Sequence, residues 1–229
     1  MGWSLVGTPG TGSATSGTSL VTTIPATTLG NVLVLCYGAN PANATISGSP
    51  SGGGVATWNL LIANNTNRAT AIWWGIVTTG GSTSVSITAA NAYTGSGGLT
   101  NISEWTPTAG VVTTDGTATA NSGTNATTST GTVTLTGSDS IVFAVERGAH
   151  TVYSSGPTNS FTGLTSPTPG SGNFAYKIPG AVGAQNTTWT YTTSTAYTTV
   201  IGALTILSLV GASVLQIGGG INIVGPRSS

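Results

Sequence analysis

Charge is what this chain has least of. Four basic and four acidic side chains are spread through 229 residues, whereas an ordinary soluble domain carries charge at about a quarter of its positions. They are Arg68, Glu104, Asp115, Asp139, Glu146, Arg147, Lys177 and Arg227. General acid–base catalysis and metal or phosphate capture depend mostly on such groups, so the expectation is that the protein is not an enzyme and holds no cofactor or metal. Net charge is zero, which leaves no electrostatic footprint for nucleic acid or an anionic membrane and favours association between copies.

Other shortages narrow the field further. One cysteine excludes an intramolecular disulfide, and Cys36 sits in the apolar run Val32-Leu33-Val34-Leu35-Cys36-Tyr37, where it reads as a small core hydrophobe. His150 is the lone histidine and cannot assemble a zinc site with one buried cysteine. A Ser-His-acid triad with Ser154 or Ser155 and Glu146 lacks the Gly-x-Ser-x-Gly surroundings of a nucleophile elbow. The local group Glu146-Arg147-Gly148-Ala149-His150 reads as a strand end whose charges pair at an exposed rim. Glu104 and Glu146 could form a glycosidase pair only across a cleft, and charges that guard sheet edges explain them more simply. Asp115 and Asp139 stand isolated, too few for calcium. The start of the chain lacks a basic leader followed by a long apolar segment. The apolar stretch from Val200 to Gly225 is interrupted by Thr205, Ser208, Ser213, Gln216, Asn222 and the run Gly218-Gly219-Gly220; it reads as strand and arm, with no membrane span.

Helix-type periodicity is scarce too, and period-two alternation takes its place. Thr132-Val133-Thr134-Leu135-Thr136, Ser84-Val85-Ser86-Ile87-Thr88 and Thr188-Trp189-Thr190-Tyr191-Thr192 each send large apolar groups one way and hydroxyls the other. The runs 32–37, 141–145 and 200–207 are continuously apolar and read as central strands. The fold expected is all-β, an antiparallel, jelly-roll-like β-sandwich. Its strands fall into two pseudo-repeated five-strand halves, about 18–105 and 128–207, which favour a shared core over two lobes. In this alignment Ala71-Ile72-Trp73-Trp74-Gly75-Ile76 matches Asn173-Phe174-Ala175-Tyr176-Lys177-Ile178, and 83–88 matches 187–192. Residues 1–17 are expected along the surface, 18–209 in the sandwich, 106–127 as a loop or weak edge strand, and 210–229 as a C-terminal arm.

The aromatics are the credible binding groups. Trp105 and Trp189 read as core. Trp58 and one of Trp73 and Trp74, which point to opposite faces of their strand, are candidates for a protein interface or for stacking on a glycan. The arm adds Val214, Leu215, Ile217, Ile221 and Ile223, an apolar set that either completes the domain's own sheet or joins a neighbour by strand addition.

Trp73-Trp74, Gly80-Gly81-Ser82-Thr83, Ala175-Tyr176-Lys177 and Thr188-Trp189-Thr190 carry a pattern that resembles jelly-roll proteins of tailed phages and actinobacterial genomes. The resemblance implies a virion structural protein, a capsid-decorating or tail-associated sandwich assembled in a host cytoplasm. Its partners would be other capsid or tail subunits and further copies of itself, as a homo-oligomer. The same pattern is similar to lectin-like modules, which implies glycan binding as the alternative.

Overall fold

Two large antiparallel sheets lie face to face, and each carries a smaller sheet on its far side. A computed structural model of the chain describes residues 2–95, 97–150, 152–168 and 171–208. The strands of the first half are β1 (Trp3–Ala14), β2 (Ser19–Thr23), β3 (Val32–Ala39), β4 (Ser51–Gly52), β5 (Asn59–Asn64), β6 (Ala69–Ile76), β7 (Ser84–Thr88) and β8 (Gly98–Pro107). Those of the second half are β9 (Val111–Ser129), β10 (Val133–Leu135), β11 (Ser140–Gly148), β12 (Tyr153–Ser155), β13 (Thr162–Leu164), β14 (Gly172–Lys177), β15 (Gly183–Gln185) and β16 (Thr188–Leu207). The first large sheet runs β1-β8-β3-β6-β5 and is backed by β2-β7-β4. In the second, β11 lies between β14 and β16, with β13 beyond β14 and β9 beyond β16; β10-β15 backs it. Among the described residues no helix is long and apolar enough to cross a membrane.

Alternation along the two inner strands builds three cores. On β3, Val32, Val34 and Cys36 face the second sheet, and on β11, Ile141, Phe143 and Val145 face the first. With Ile72, Leu99, Trp105, Phe174, Val200 and Leu204 they form one central core drawn from both halves. The other face of β3 supplies Leu33, Leu35 and Tyr37 to an outer core under β2 and β7. The other face of β11 supplies Val142 and Ala144 to a second outer core with Val133, Leu135, Trp189 and Tyr191. Strands covered on both faces read as unbroken apolar runs, which is why 32–37 and 141–145 lack alternation. Gly202 of β16 has no room for a Cβ, which would lie 2.7 Å from Leu61. The two sheets depend on that close approach.

Several expectations need correction. Residues 106–127 are no loop; of the two readings the edge strand holds, but it is long: β9 covers nineteen residues and pairs with β16 along most of its length. Residues 1–17 lie along the surface as an ordered edge strand: β1 pairs with β8, and Trp3 is buried in the central core with its indole N–H donating to Asp139 O at 2.8 Å. The segment 187–192 is not the counterpart of 83–88. It begins the twenty-residue β16, whereas β15 pairs with β10 as β7 pairs with β2. The backing sheets lie outside the sequence reading altogether.

Candidate functional site

The strongest perturbation of ordinary side-chain chemistry lies at the end of β11. Successive residues on a strand face opposite ways, so Glu146 enters the outer side of the second sheet and Arg147 the space between the two large sheets. They therefore do not pair at an exposed rim. Both are fully buried, as is His150. Glu146 Oε2 accepts from the Tyr191 hydroxyl at 2.5 Å and from Asn173 Nδ2 at 3.1 Å. Its other oxygen faces His150 Nε2 at 3.5 Å. The imidazole stacks flat on Tyr191 with ring centres 3.6 Å apart, and its Nδ1 meets Thr195 Oγ1 at 2.9 Å and Thr193 O at 3.3 Å.

Burial dominates the electrostatics here. It raises the Glu146 carboxyl to about 7, against the lowering effect of hydrogen bonds from Tyr191 and Asn173 and of the nearby Arg147 charge. Burial also lowers the His150 pKa. The arrangement suits a single shared proton. If Nδ1–H donates to Thr193 O, Nε2 is free to accept from a protonated Glu146, and neither group carries a charge. With no part of either side chain exposed, the cluster offers no face to a solute and serves to hold the end of β11 to β14 and β16.

Three further charged groups are bound into the fold. Arg147 donates through Nη2 to Gly97 O at 2.9 Å in the first half and through Nη1 to Ser171 O in the second. Burial lowers its pKa to about 10. Its stem lies against Gly38, where a Cβ would come within 3.0 Å of Cδ. Glu104 does not guard an edge: β8 lies between β1 and β3, and the carboxylate accepts from Thr28 N at 2.8 Å and Asn31 Nδ2 at 2.6 Å. Asp115 is not isolated. Oδ1 accepts from Thr136 N at 2.9 Å and Thr136 Oγ1 at 2.6 Å, and Oδ2 from Gly137 N at 3.1 Å and Ser140 Oγ at 2.5 Å. Burial works against that charge, but the bonds outweigh it and hold the pKa below the ordinary value.

What remains for contact with other molecules is the exterior, and it is almost free of charge. Every charged residue among the described ones is buried or half-buried. Thr, Ser, Gly, Asn and Ala occupy the outer surface, with isolated apolar groups such as Leu29, Leu60 and Val182. None of the six tryptophans is in the exposed range. Trp58 lies in the first outer core, not on a surface. Trp73 and Trp74 are half-buried, and because both faces of β6 are covered, Trp73 packs on that outer core and Trp74 on the central one. Trp105 and Trp189 are core residues. Val214, Leu215, Ile217, Ile221 and Ile223 lie outside the described residues.

Free sheet edges complete the candidate surface. Among the described residues β9 pairs only with β16, and in its nineteen residues it has no proline and no basic side chain; its one acid, Asp115, is turned inward. Likewise β5, at the end of the first sheet, pairs only with β6 among the described residues. Beside it opens a cavity of about 80 Å³ lined by Tyr37, Ile46, Leu60, Ala63, Ala71 and Trp73, among others. The buried indole N–H groups of Trp58, Trp73 and Trp74 have no hydrogen-bond partner among the described residues.

The sequence signal for the Glu146 cluster was present but pointed elsewhere. Charges at a strand end ordinarily mean solvent, and only the position of Tyr191, forty-five residues away in sequence, turns this one into a buried site. Comparison with known proteins matches no family model, no curated protein and no solved structure.

Proposed function

We propose that this chain is a structural component of an assembly, a virion protein of the capsid-decorating or tail-associated kind that acts by binding its neighbours. The observation that carries the reading is the combination of an exterior nearly free of charge with the long edge of β9, which among the described residues has a strand partner on one side only. Soluble monomers ordinarily blunt such an edge with lysine, proline or an inward charge that spoils pairing. They also keep net charge away from zero to stay apart. Along β9 the inward Asp115 is the single device of this kind, net charge is zero, and four of the seven charged residues described are buried. Such a surface suits a protein that spends its working life packed among like surfaces, where hydroxyls and strand edges make the contacts. Glycan binding is less well supported, because the tryptophans that would stack on sugar rings are buried or half-buried.

The test is the native mass of the purified protein by light scattering, full length and cut after Leu209. A defined oligomer that dissociates on truncation supports assembly through the arm. A full-length chain that stays monomeric, and that also fails to bind capsids or tails, overturns the reading.

A further inference from the structure

The buried cluster at the end of β11 has room for one proton, and we infer that it is an acid-released fastening for β12, a device that does not depend on the assembly reading. A second proton parts His150 from Tyr191 and frees β12 from the edge of β16.

Hydrogen-bond accounting sets the proton number. Glu146 Oε2 already takes two donors, the Tyr191 hydroxyl at 2.5 Å and Asn173 Nδ2 at 3.1 Å. Oε1 and His150 Nε2 face each other at 3.5 Å, and neither has another hydrogen-bond partner among the described residues. Across the ring, Nδ1 lies 3.3 Å from Thr193 O, which can only accept, and 2.9 Å from Thr195 Oγ1. One proton between Oε1 and Nε2 satisfies both atoms, whichever carries it. A second leaves a buried imidazolium facing a carboxyl that has lost its charge.

The surroundings do not favour that imidazolium. The titratable and charged groups about the pair are Tyr191 on β16, Tyr153 on β12, Arg147 on β11 and Arg68 in the turn before β6, while β14 contributes Asn173, which does not titrate. Burial raises the pKa of both tyrosines, so they stay neutral. Both arginines are cations. Glu146 is the one acid in this group.

β12 has little else to hold it. Its three residues are exposed, its register with β16 breaks between Tyr153 and Ser155, and among the described residues it pairs with β16 alone. The attachment runs through Tyr191. His150 stacks on that ring with centres 3.6 Å apart, Tyr153 meets it edge-on at 6.0 Å, and Thr192 N donates to Val152 O at 3.2 Å. Elements with so few buried contacts open without the rest of the fold. Release bares the main-chain groups of Tyr191 and Thr192 as a new strand edge.

The pH of release follows from the protons each form holds. Closed, burial raises the Glu146 carboxyl to about 7 and lowers the His150 pKa, so the pair keeps one proton. Opened, the two groups return to their ordinary 4.5 and 6.5. Between those values both forms hold one proton, and opening is indifferent to pH. Below 4.5 the opened form holds two and the closed form one, so each further unit of acid favours opening about tenfold.

Amide hydrogen exchange followed by NMR on the full chain tests this, with protection corrected for the intrinsic pH dependence of exchange. Protection of the Thr192 amide should be constant from pH 6.5 to 4.5 and fall about tenfold per unit below that. Low urea should leave Thr192 exchange unchanged while it speeds that of Phe143 in the middle of β11, since a local opening exposes little surface. In Glu146→Gln the opened form takes its one proton at 6.5 and the closed form none, so the fall should begin near 6.5 instead of 4.5. Equal urea dependence of the two amides means that Thr192 is released only by unfolding of the whole molecule, and overturns the inference. So does Thr192 protection that holds steady down to about pH 3, or a break that stays at 4.5 in the variant. The pH and urea profiles of the unaltered protein decide the matter if the variant does not fold.

Discussion

β3 and β11 occupy the same place in their sheets and are buried along their whole length, yet they fill that place with different chemistry. Facing outward, β3 presents Leu33, Leu35 and Tyr37, and the Tyr37 hydroxyl finds the Ala44 carbonyl. β11 presents Val142, Ala144 and Glu146, and the last draws Tyr191, Asn173 and His150 into a network. One step further, β3 has Gly38 and β11 has Arg147, and these two meet, the glycine leaving room for the arginine stem. The first half is therefore held mainly by apolar burial. The second relies on polar groups whose burial is favourable only while every partner stays in place.

The largest expected effect comes from breaking the contact between the halves. Arg147→Met keeps the volume but leaves the Gly97 and Ser171 carbonyls without their donor, and should cost about 3–5 kcal/mol in chemical denaturation. A loss under about 1 kcal/mol would mean that the arginine is not a cross-tie. Leu35→Ala, on the apolar side, should cost about 3 kcal/mol through the cavity it leaves. Its effect should not vary with pH.

Glu146→Gln sharpens the contrast, because only the polar side should depend on proton concentration. Below pH 4.5 the carboxyl holds its proton folded or unfolded; between 4.5 and about 7 only the folded protein holds it. Stability should therefore fall as pH rises through that window, and the penalty is complete above it. Glutamine removes the penalty while still donating to His150 and accepting from Tyr191. The variant should gain up to about 3 kcal/mol over wild type at pH 8 and nothing at pH 4.5. His150 works in the opposite sense, losing stability as pH falls below 6.5, and remains in the variant. A variant less stable than wild type at both pH values would show that the network is ionised.

Asp115→Asn should cost about 1–3 kcal/mol at neutral pH, because the amide's one oxygen can accept only one of the two pairs of hydrogen bonds and its NH2 group meets the donors of the other. Its folded pKa lies below 3.8, so the difference from wild type should shrink as acid protonates the carboxylate. The smallest effect expected is that of Tyr191→Phe, about 1 kcal/mol, accompanied by a further rise in the Glu146 pKa that a carboxyl-carbon NMR titration would follow.

How much of this was legible follows from the kind of signal each residue carries. Val133, Val85 and Ile87 alternate with hydroxyls, and period two marks strands whatever lies around them. The double covering of β3 and β11 is visible as unbroken apolar runs. β9 has no comparable pattern: Thr, Ala, Gly and Asn suit a long edge and a loop equally well, and only pairing with β16 decides. Trp3 hinted that the N-terminal stretch is anchored, being the sole aromatic in a polar stretch. For Glu146 and Arg147, strand alternation already excluded mutual pairing, but their burial depends on contacts with Tyr191 and Gly97 that no local window contains. The arm residues from Val214 to Ile223 lie outside the described structure, so the sequence alone speaks for them.

The scarcity of charge on the exterior has a consequence in an electric field. With every charged side chain of the described residues at least half-covered, the particle gathers almost no counterion atmosphere. It should migrate very slowly in electrophoresis over a broad pH range and pass through both anion and cation exchangers. Because ionic strength has so little to screen, its associations should be nearly indifferent to salt, unlike those of proteins whose partners are steered by charge. Neighbours would be selected by shape and by hydroxyl and main-chain hydrogen bonds at close range, and encounter would proceed without long-range guidance.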